Sequence, residues 1–432
     1  MAEGSKVILI GVEGLPHHLL EALGERLPTL GSLLEEGCSG CLRSTIPYTT
    51  APAWTSMVTG VDPGLHGIYD FLHLDREHNL RVVRGSDCRA KPLWRHLREK
   101  GLRSIIINVP PFYPAEDVDS AMIGCSPHHW LSVYPPSLED EVRRRGYIID
   151  VDNLAEKMRM NRLSVLEELL KAEEKRIEVA EYLLSHLPWS FSMIVFNFPD
   201  RLLHHLSIST VEALEASRGH STLLDRLLRR GRRILRLIGD MFRLLDEFLS
   251  RCLKHIGRGL LIIASDHGMT RRPKALLINS WLREEGYIDH ERTKALCYST
   301  VMPLGLIRLN LEGRERSGVV PRWGYENLLD EIESGLRSLR DDESGERIIR
   351  RIWRGDELYG PEAMNDPPDL VFEVGEGYTV DPWRLEEEKI ADASRPNDHE
   401  RCGAFLIHGY ERHVRAIEEI HEVVIEFLGL ET

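Results

Sequence analysis

The sequence has 432 residues, of which 42% are hydrophobic and 29% are charged, and its formal net charge at pH 7 is -14. A chain of this length and composition suits one large α/β domain with insertions or two domains, and wholesale disorder is not expected. The acidic balance argues against a nucleic-acid-binding surface, which needs a basic face.

The N-terminal half alternates between predicted strands and helices. Its first strand, Lys6 to Ile10, is apolar without alternation from Val7 onward, which is typical of a parallel strand buried on both faces. Similar strands are predicted over Arg103 to Asn108 and Phe191 to Asn197. Helices are predicted over Leu15 to Leu23, Pro28 to Glu36, Ala51 to Val58, Lys91 to Lys100 and much of 137–187.

The C-terminal half continues the alternation around one irregular stretch. A helical pattern from Val211 to Ile256 leads into an apolar strand, Leu260 to Ala264. Residues 270–365 are less regular and are predicted to be an inserted cap subdomain in an otherwise single domain spanning 1–432. The remaining predicted elements are strands at Leu304 to Asn310, Asp369 to Glu373 and Cys402 to Ile407, and helices at Tyr325 to Leu339 and His413 to Leu428. The alternation predicts a doubly wound, mostly parallel α/β sheet with helices on both faces.

The cysteines and the apolar segments bear on the compartment. Seven cysteines leave at least one unpaired, and a chain of this length does not need disulfides to fold, so a reducing, cytoplasmic compartment is predicted. Cys38 and Cys41 form an isolated C-x-x-C and are interpreted as small buried residues before a strand. The short polar N-terminus does not resemble a signal peptide, and no apolar stretch approaches the ~20 residues that span a bilayer.

Polar residues that follow predicted strands are the first candidates for a site, because open α/β sheets bind ligands beyond the carboxyl ends of their strands. Glu13 follows the first strand, although it could equally be an acid favoured by a helix dipole. Thr50 precedes a predicted helix and could be a plain N-cap. Alternatively, a hydroxyl at that position can act as a nucleophile, because the helix dipole and a metal would lower its pKa and favour phosphate binding.

Later strand ends carry carboxylates beside histidines. Asp200 and His204 are spaced so that both side chains lie on one helix face, where they could share a metal or be surface polar residues. The adjacent His205 is expected to point elsewhere. Asp266 and His267 directly follow an apolar strand, a position in which the aspartate could also stabilise a turn.

Together with His399, which precedes the last predicted strand, these residues offer carboxylate, imidazole and hydroxyl groups. Oxygen and imidazole ligands suit Zn²⁺ or Mn²⁺. Two such ions ~3.5–4 Å apart stabilise the attacking and leaving oxygens of an in-line displacement. The residues therefore point to a site for two divalent metal ions, with Zn or Mn favoured.

These residues lie within a longer pattern that resembles the alkaline phosphatase superfamily, most closely its type I phosphodiesterase and nucleotide pyrophosphatase branch. The matching segments are, in order, Gly11-Val12-Glu13-Gly14, Thr50 to Gly60, Pro63, His66-Gly67-Ile68, Pro199-Asp200 with His204, Ser265-Asp266-His267-Gly268, and His399. The resemblance implies an alkaline phosphatase-like fold, a phosphodiesterase-like activity on a small phosphorylated substrate, and two metal ions.

The resemblance also implies a role for each matched residue. The implied ligands are Asp200, His204 and His399 for one ion, and Glu13, Asp266 and His267 for the other, with Thr50 bridging toward the second. The Thr50 hydroxyl would attack phosphorus and form a phospho-enzyme that a metal-activated water hydrolyses, without a separate general base. His66 belongs to a matched motif but is interpreted as structural, with its ring bonded to loop backbone.

The chain departs from the family's pattern at two positions. The family has Asp where this chain has Glu13, whose extra methylene moves the carboxylate about 1.5 Å further out. Well-characterised nucleotide pyrophosphatases have an Asn that contacts a phosphoryl oxygen at the position of Phe71, so that contact is expected to be lost or moved. In this respect Asp70-Phe71 resembles microbial relatives of unknown substrate.

Three alternatives to a phosphoesterase are considered. A sulfatase would need Cys or Ser in a C/S-x-P-x-R motif, which the segment beginning at Thr50 lacks. A phosphomutase of the same superfamily is one alternative, and a binding protein that keeps the fold without catalysis is another. Glu13 and Phe71 are the residues that favour the binding protein. Metal content separates these cases, since an enzyme should hold up to two ions per chain. No membrane partner is expected.

Overall fold

The computed structural model describes residues 6–125, 130–205, 224–289 and 292–430. The strands are β1 (Val7–Val12), β2 (Cys38–Arg43), β3 (Leu72–Leu74), β4 (Leu80–Val82), β5 (Ser104–Ile107), β6 (Ala121–Ile123), β7 (Val133–Tyr134), β8 (Phe191–Phe196), β9 (Leu260–Ala264), β10 (Gly268–Arg271), β11 (Lys274–Leu276), β12 (Ala295–Cys297), β13 (Leu304–Leu309), β14 (Ile349–Arg354), β15 (Leu370–Val374), β16 (Tyr378–Val380), β17 (Ile390–Asp392), β18 (Asn397–Glu400) and β19 (Cys402–His408).

The α-helices are α1 (His17–Gly24), α2 (Pro28–Glu36), α3 (Thr50–Thr59), α4 (Pro63–His66), α5 (Leu93–Glu99), α6 (Glu139–Arg144), α7 (Leu154–Met160), α8 (Arg162–His186), α9 (Phe198–Leu203), α10 (Leu224–Ile256), α11 (Ile278–Glu284), α12 (Tyr325–Ser338), α13 (Gly355–Tyr359) and α14 (Glu419–Phe427). None of these described helices combines the length and the apolar character that crossing a bilayer requires.

The central sheet has eight strands in the order β2-β19-β9-β1-β8-β5-β6-β7. The five strands β9, β1, β8, β5 and β6 are parallel to one another, whereas β19 pairs antiparallel with β9 and β7 pairs antiparallel with β6. The prediction of a mostly parallel α/β sheet is confirmed.

The central sheet is buried on both faces, which explains why its strands lack hydrophobic alternation. In β1, Ile8 and Ile10 belong to one apolar core and Val7 and Leu9 belong to the other. Helices α1, α2, α8 and α10 pack in the first core, while α3, α5 and α14 pack in the second. Because helices cover both faces of the sheet, a ligand can reach it beyond the carboxyl ends of the parallel strands.

A second sheet lies in the C-terminal half. Its four strands are antiparallel in the order β12-β13-β15-β14, and with α11 and α12 they enclose a separate apolar core. Three of these strands fall within the predicted insertion at 270–365, but β15 lies beyond it. The existence of a distinct cap subdomain stays a prediction.

The predicted elements recur with shifted ends. The helix predicted from Ala51 begins one residue earlier, at Thr50. The closing helix is shorter than predicted, because the chain before it runs beside β2 and donates backbone N–H groups at Arg415 and Ala416 to the Glu419 carboxylate. The first part of the predicted helix from Val211, residues 211–223, lies outside the described residues.

The interpretation of Cys38 and Cys41 as buried residues before a strand is wrong. Both lie within β2, which occupies the edge of the central sheet, and Cys41 is exposed while Cys38 is half-buried. Cys41 forms a disulfide with Cys402 of the adjacent β19. The sequence does not indicate this pairing, because the two residues are 361 positions apart.

Candidate active site

Three neighbouring central strands bring three carboxylates together. In the pairing register β1 and β8 end at the same level, and β9 ends one residue before them. Glu13 directly follows β1, Asp200 lies in α9 after β8, and Asp266 is the second residue after β9. All three side chains are buried, so the sheet edge places carboxylates where they are shielded from bulk water.

Thr50 faces this group from the first turn of α3. Its Oγ1 donates a hydrogen bond to Glu13 Oε1 at 3.0 Å and lies 3.4 Å from His267 Nε2. The N-cap is Thr49, so Thr50 is not the plain N-cap that the sequence left open. Helix α3 approaches β1 closely because Gly11 has no side chain, since a Cβ there would lie 2.5 Å from the Trp54 ring.

The three predicted histidine ligands share one orientation. The Nδ1 atoms of His204, His267 and His399 contact the backbone oxygens of Asn397, Gly268 and Tyr48 at 3.1, 3.0 and 3.3 Å. A carbonyl oxygen can only accept, so each Nδ1 carries a proton and Nε2 is the nitrogen that can offer a lone pair to a metal. This is the arrangement that fixes metal-binding imidazoles in proteins.

The Nε2 lone pairs point at carboxylate oxygens that also lack donors. Asp200 Oδ1 lies 3.2 Å from His204 Nε2 and 3.6 Å from His399 Nε2, while Asp266 Oδ2 lies 3.2 Å from His267 Nε2. Both oxygens are buried without a hydrogen bond. Acceptors that converge in a buried space are unfavourable unless a cation lies between them. The cluster therefore fits metal ions.

Two groups of ligand atoms lie close enough together to hold an ion, within 4.8 Å of one another. Among the described residues they are Asp200, His267 and His399, and His204, Asp398 and His399. Asp398 accepts hydrogen bonds from the Thr379 hydroxyl and the His399 backbone N–H, which fix its carboxylate beside His399. It is a further candidate ligand that the sequence analysis did not name.

Burial determines the charge state of this cluster in the absence of metal. It raises the pKa of the Glu13 and Asp266 carboxyl groups well above the ordinary value, and the nearby Asp200 carboxylate acts in the same direction. Burial lowers the pKa of His204 and His267, which keeps their rings neutral at pH 7. Neutral imidazole is the form that binds metal.

Arg201 is a site residue that the sequence analysis missed. Its Nη1 lies 2.7 Å from Asp200 Oδ2 and 3.7 Å from Glu13 Oε1, and its Nη2 lies 3.0 Å from Asp150 Oδ2. The guanidinium thus joins the carboxylates that follow β1 and β8. Its position next to Asp200 in sequence was no signal, because adjacent helical residues normally face different directions.

His66 has the structural role predicted for it. The ring is fully buried, with Nδ1 accepting a hydrogen bond from the Ile68 backbone N–H at 3.1 Å. Nε2 therefore carries the proton and donates a hydrogen bond to Ser56 Oγ at 2.9 Å, which connects the loop to α3. Burial lowers the pKa of His66 to about 3.

A cavity of about 380 Å³ opens above Thr50, Asp200 and His399. We call the predicted catalytic and metal-binding residues at its base the floor: Glu13, Thr50, Asp200, His204 and His399, which line the cavity, together with the fully buried Asp266 and His267, which adjoin Thr50. We call its outer lining the mouth: Arg159, His205, Ser394 and Arg395. His205 does not point away as predicted, because α9 ends at Leu203 and both His204 and His205 line the cavity.

Phe71 lines the cavity at the position where the family pattern has Asn. The preceding Asp70 is buried and accepts hydrogen bonds from the Thr300 backbone N–H and hydroxyl at 2.6 and 2.8 Å. Burial raises the pKa of Asp70 to about 6. Asp70 thus fixes the Thr300 segment against the cavity wall, while Phe71 offers no side-chain donor to a phosphoryl group.

Solved structures with the same fold include phosphoester and phosphonate hydrolases by name. Human ectonucleotide pyrophosphatase/phosphodiesterase 5 is 14% identical with a TM-score of 0.59, over 99% of this chain and 96% of that chain. Phosphonoacetate hydrolase from Sinorhizobium meliloti 1021, in complex with phosphonoformate, is 14% identical with a TM-score of 0.66, over 98% and 95%. These likenesses establish the fold.

An inactive threonine-to-alanine form of murine ectonucleotide pyrophosphatase/phosphodiesterase 5, in complex with AMP, is 13% identical with a TM-score of 0.58, over 99% of this chain and 96% of that chain. No curated protein matches the sequence. A family model described as type I phosphodiesterase/nucleotide pyrophosphatase matches residues 7–403, which is nearly the whole chain. The chain therefore belongs to the type I phosphodiesterase/nucleotide pyrophosphatase family of the alkaline phosphatase superfamily and is a phosphoester hydrolase.

Proposed function

We propose that the chain is a metal-dependent phosphodiesterase in which Thr50 is the nucleophile. The observation that carries the proposal is the position of the Thr50 hydroxyl, at the N-terminus of a buried helix and in contact with Glu13 and His267. A helix N-terminus favours phosphate, and a hydroxyl held there is placed for attack. The inactive threonine-to-alanine form of the murine neighbour supports a threonine in this role.

Two divalent ions are proposed to bind at the floor. Asp200, His204 and His399 would hold one ion, and Glu13, Asp266, His267 and Thr50 would hold the other. The buried oxygens without donors and the inward-facing Nε2 atoms support metal binding at the floor, and the ligand types suit Zn²⁺ or Mn²⁺. The assignment of ligands to each ion follows the family resemblance, whereas the ligand atoms within 4.8 Å of one another combine Asp200 with His267 and His399. When bound, the ions would stabilise charge on the phosphoryl oxygens and lower the pKa of the Thr50 hydroxyl.

The reaction then proceeds as two displacements at phosphorus, the first by Thr50 and the second by water. Thr50 Oγ1 forms a bond to phosphorus while the bond from phosphorus to the leaving alcohol breaks. The hydrogen bond to Glu13 Oε1 orients the hydroxyl, whose proton passes to water, and the leaving alkoxide takes a proton from water. Water subsequently breaks the bond between Thr50 and phosphorus, which releases the phosphoryl product and restores the hydroxyl.

Arg201 is proposed to contact the phosphoryl group in place of the missing Asn. Its guanidinium is partly exposed to the cavity, whereas Phe71 contributes only an aromatic ring. Arg201 carries five N–H donors, and its contacts with Asp200 and Asp150 hold the guanidinium in place without using all of them. A fixed cation beside the nucleophile would stabilise a phosphoryl oxygen during attack.

Hydrolysis of an aryl phosphodiester beside the matching aryl monoester tests this function. Each substrate is assayed with Mn²⁺ or Zn²⁺, with a chelator, and with Thr50→Ala. Thr59→Ala is the matched control, because Thr59 lies in the same helix and, within the described parts of the chain, its hydroxyl is bonded to the Thr55 backbone oxygen at 2.7 Å. We expect turnover that the chelator and Thr50→Ala abolish and that Thr59→Ala retains, with the diester as the better substrate.

The metal content of the purified chain separates catalysis from the binding-protein alternative. A phosphodiesterase of the proposed kind retains up to two ions per chain, whereas a degenerate site retains one or none. Turnover that survives Thr50→Ala would remove Thr50 as the nucleophile. Metal-free protein without turnover of either substrate would favour the binding protein.

A further inference from the structure

The mouth of the cavity carries positive charge that the chemistry of the floor does not use. Arg159 comes from α7 and Arg395 from the loop before β18, and both line the cavity that contains Thr50. This local charge contrasts with the formal net charge of -14 for the whole chain. Among the described residues that line this cavity, the carboxylates are Glu13 and Asp200, and both belong to the floor.

Arg395 is held in place by the Val301 backbone and by a long ion pair with the buried Asp398. Its Nη2 donates a hydrogen bond to the Val301 backbone oxygen at 2.9 Å and lies 3.8 Å from Asp398 Oδ1. Asp398 already accepts hydrogen bonds from Thr379 and from the His399 backbone N–H. The Arg395 guanidinium is therefore oriented by the protein while most of its N–H donors stay available to a ligand.

Arg159 is more exposed than Arg395 and has fewer contacts. It lies near the end of α7, and within the described parts of the chain its side chain forms no hydrogen bond or ion pair. Lys157, two residues earlier in the same helix, pairs with Glu168 at 2.6 Å. The helix thus directs one cation to a carboxylate of the protein and the other to the cavity.

The size of the cavity leaves room for more than a phosphoryl group. Its volume of about 380 Å³ falls in the range of sites for whole small molecules. Arginine binds carboxylate and phosphoryl groups through two parallel N–H donors, so both share the chemistry that two arginines at the mouth would recognise.

We propose that Arg159 and Arg395 form a subsite for a second anionic group, so that the preferred substrate is a phosphoester whose alcohol carries a carboxylate or a further phosphoryl group. This inference rests on the proposed function, because it takes the floor as the place of the reacting phosphoryl group. It names the class of substrate, which the floor alone does not determine.

Binding of three matched phosphonates to the full chain with Mn²⁺ tests the subsite without requiring turnover. Propylphosphonate has one anionic group, 3-phosphonopropionate adds a carboxylate, and 1,3-propanediphosphonate adds a second phosphonate. We expect titration calorimetry to give a dissociation constant about tenfold lower for at least one two-anion ligand than for propylphosphonate. Whichever two-anion ligand binds more tightly relative to propylphosphonate identifies the second anionic group as a carboxylate or a phosphoryl group.

Arginine variants assign the gain to the mouth. Arg159→Gln and Arg395→Gln should each reduce the affinity advantage of the two-anion ligand over propylphosphonate by about threefold, and together they should remove it. Arg395→Lys should retain part of this advantage. Arg337→Gln is the control, since Arg337 is exposed on α12 and pairs with Glu333. Equal affinity of the wild type for all three ligands, or a gain unaffected by these variants, would overturn the subsite. Absence of Thr50-dependent turnover would instead overturn the proposed function, because the affinity ratio does not depend on it.

Discussion

The floor and the mouth of the cavity are built in different ways. Five floor residues follow three neighbouring parallel strands, while Thr50 begins α3 and His399 lies in β18. All seven are buried, and their imidazole rings are fixed by backbone carbonyl groups. Mouth residues come from α7 and from loops, and they are half-buried or exposed. Charge in a buried space cannot be compensated by water, so a change at the floor should abolish function, whereas a change at the mouth should alter preference.

The largest expected effect is that of Thr50→Ala. Removal of the proposed nucleophile should lower kcat/KM for an aryl phosphodiester by at least about 10⁴-fold. The proposed metal ligands other than Thr50 remain, so elemental analysis should find nearly the wild-type metal content. Loss of both ions together with activity would show that Thr50 is mainly a ligand.

Asp266→Asn should uncouple the two ion sites. The amide oxygen can still accept the hydrogen bond that the Gly14 backbone N–H donates at 3.1 Å, so the fold should persist. The charge that a metal requires is lost, and we expect one ion fewer per chain and a decrease in kcat/KM of more than about 100-fold. Unchanged metal content would place Asp266 outside the metal site.

His66 supports the floor, and its burial predicts a pH-dependent stability. Its pKa is about 3 in the folded chain, whereas an unfolded histidine titrates near 6.5, so only the unfolded state takes up this proton as the pH falls below 6.5. Between pH 7 and pH 5 this should remove about 2 kcal/mol from the free energy of unfolding. Urea titrations should find a smaller loss in His66→Gln, and the exposed His413→Gln should behave like the wild type.

Arg201 belongs to neither the floor nor the mouth as defined, since it contacts the floor residues Asp200 and Glu13 and also lines the cavity. Arg201→Gln removes a cation from two carboxylates and a donor from the proposed phosphoryl position. We expect kcat/KM to decrease by about tenfold, mainly through kcat, with the metal content unchanged. A change in KM alone would assign Arg201 to ground-state binding.

Glu13→Asp should have the smallest effect. The shorter side chain withdraws the carboxylate by about 1.5 Å, toward the length that the family uses. We expect activity equal to or higher than that of the wild type, measured as kcat/KM with Mn²⁺ and with Zn²⁺. A decrease of more than about tenfold would show that the site is adapted to glutamate.

The sequence predicts a structural feature well where that feature depends on residues within one strand or helix. The apolar strands and most helices were predicted within a few residues, and the floor residues were all named because each follows a recognisable strand or motif. The disulfide between Cys41 and Cys402, the roles of Arg201 and Asp398, and the position of His205 were missed. Each depends on a neighbour from a distant segment or on where a short helix ends.

The sequence by itself determined the parallel α/β class, the family pattern and the residue types at the strand ends, because continuous apolar runs and local motifs are properties of adjacent residues. Only the tertiary structure decided which histidine nitrogen faces the cluster, which carboxylate oxygens lack donors, and which arginines line the cavity. Those features follow from contacts such as that between His399 and the Tyr48 backbone, 351 positions apart, which no local pattern specifies.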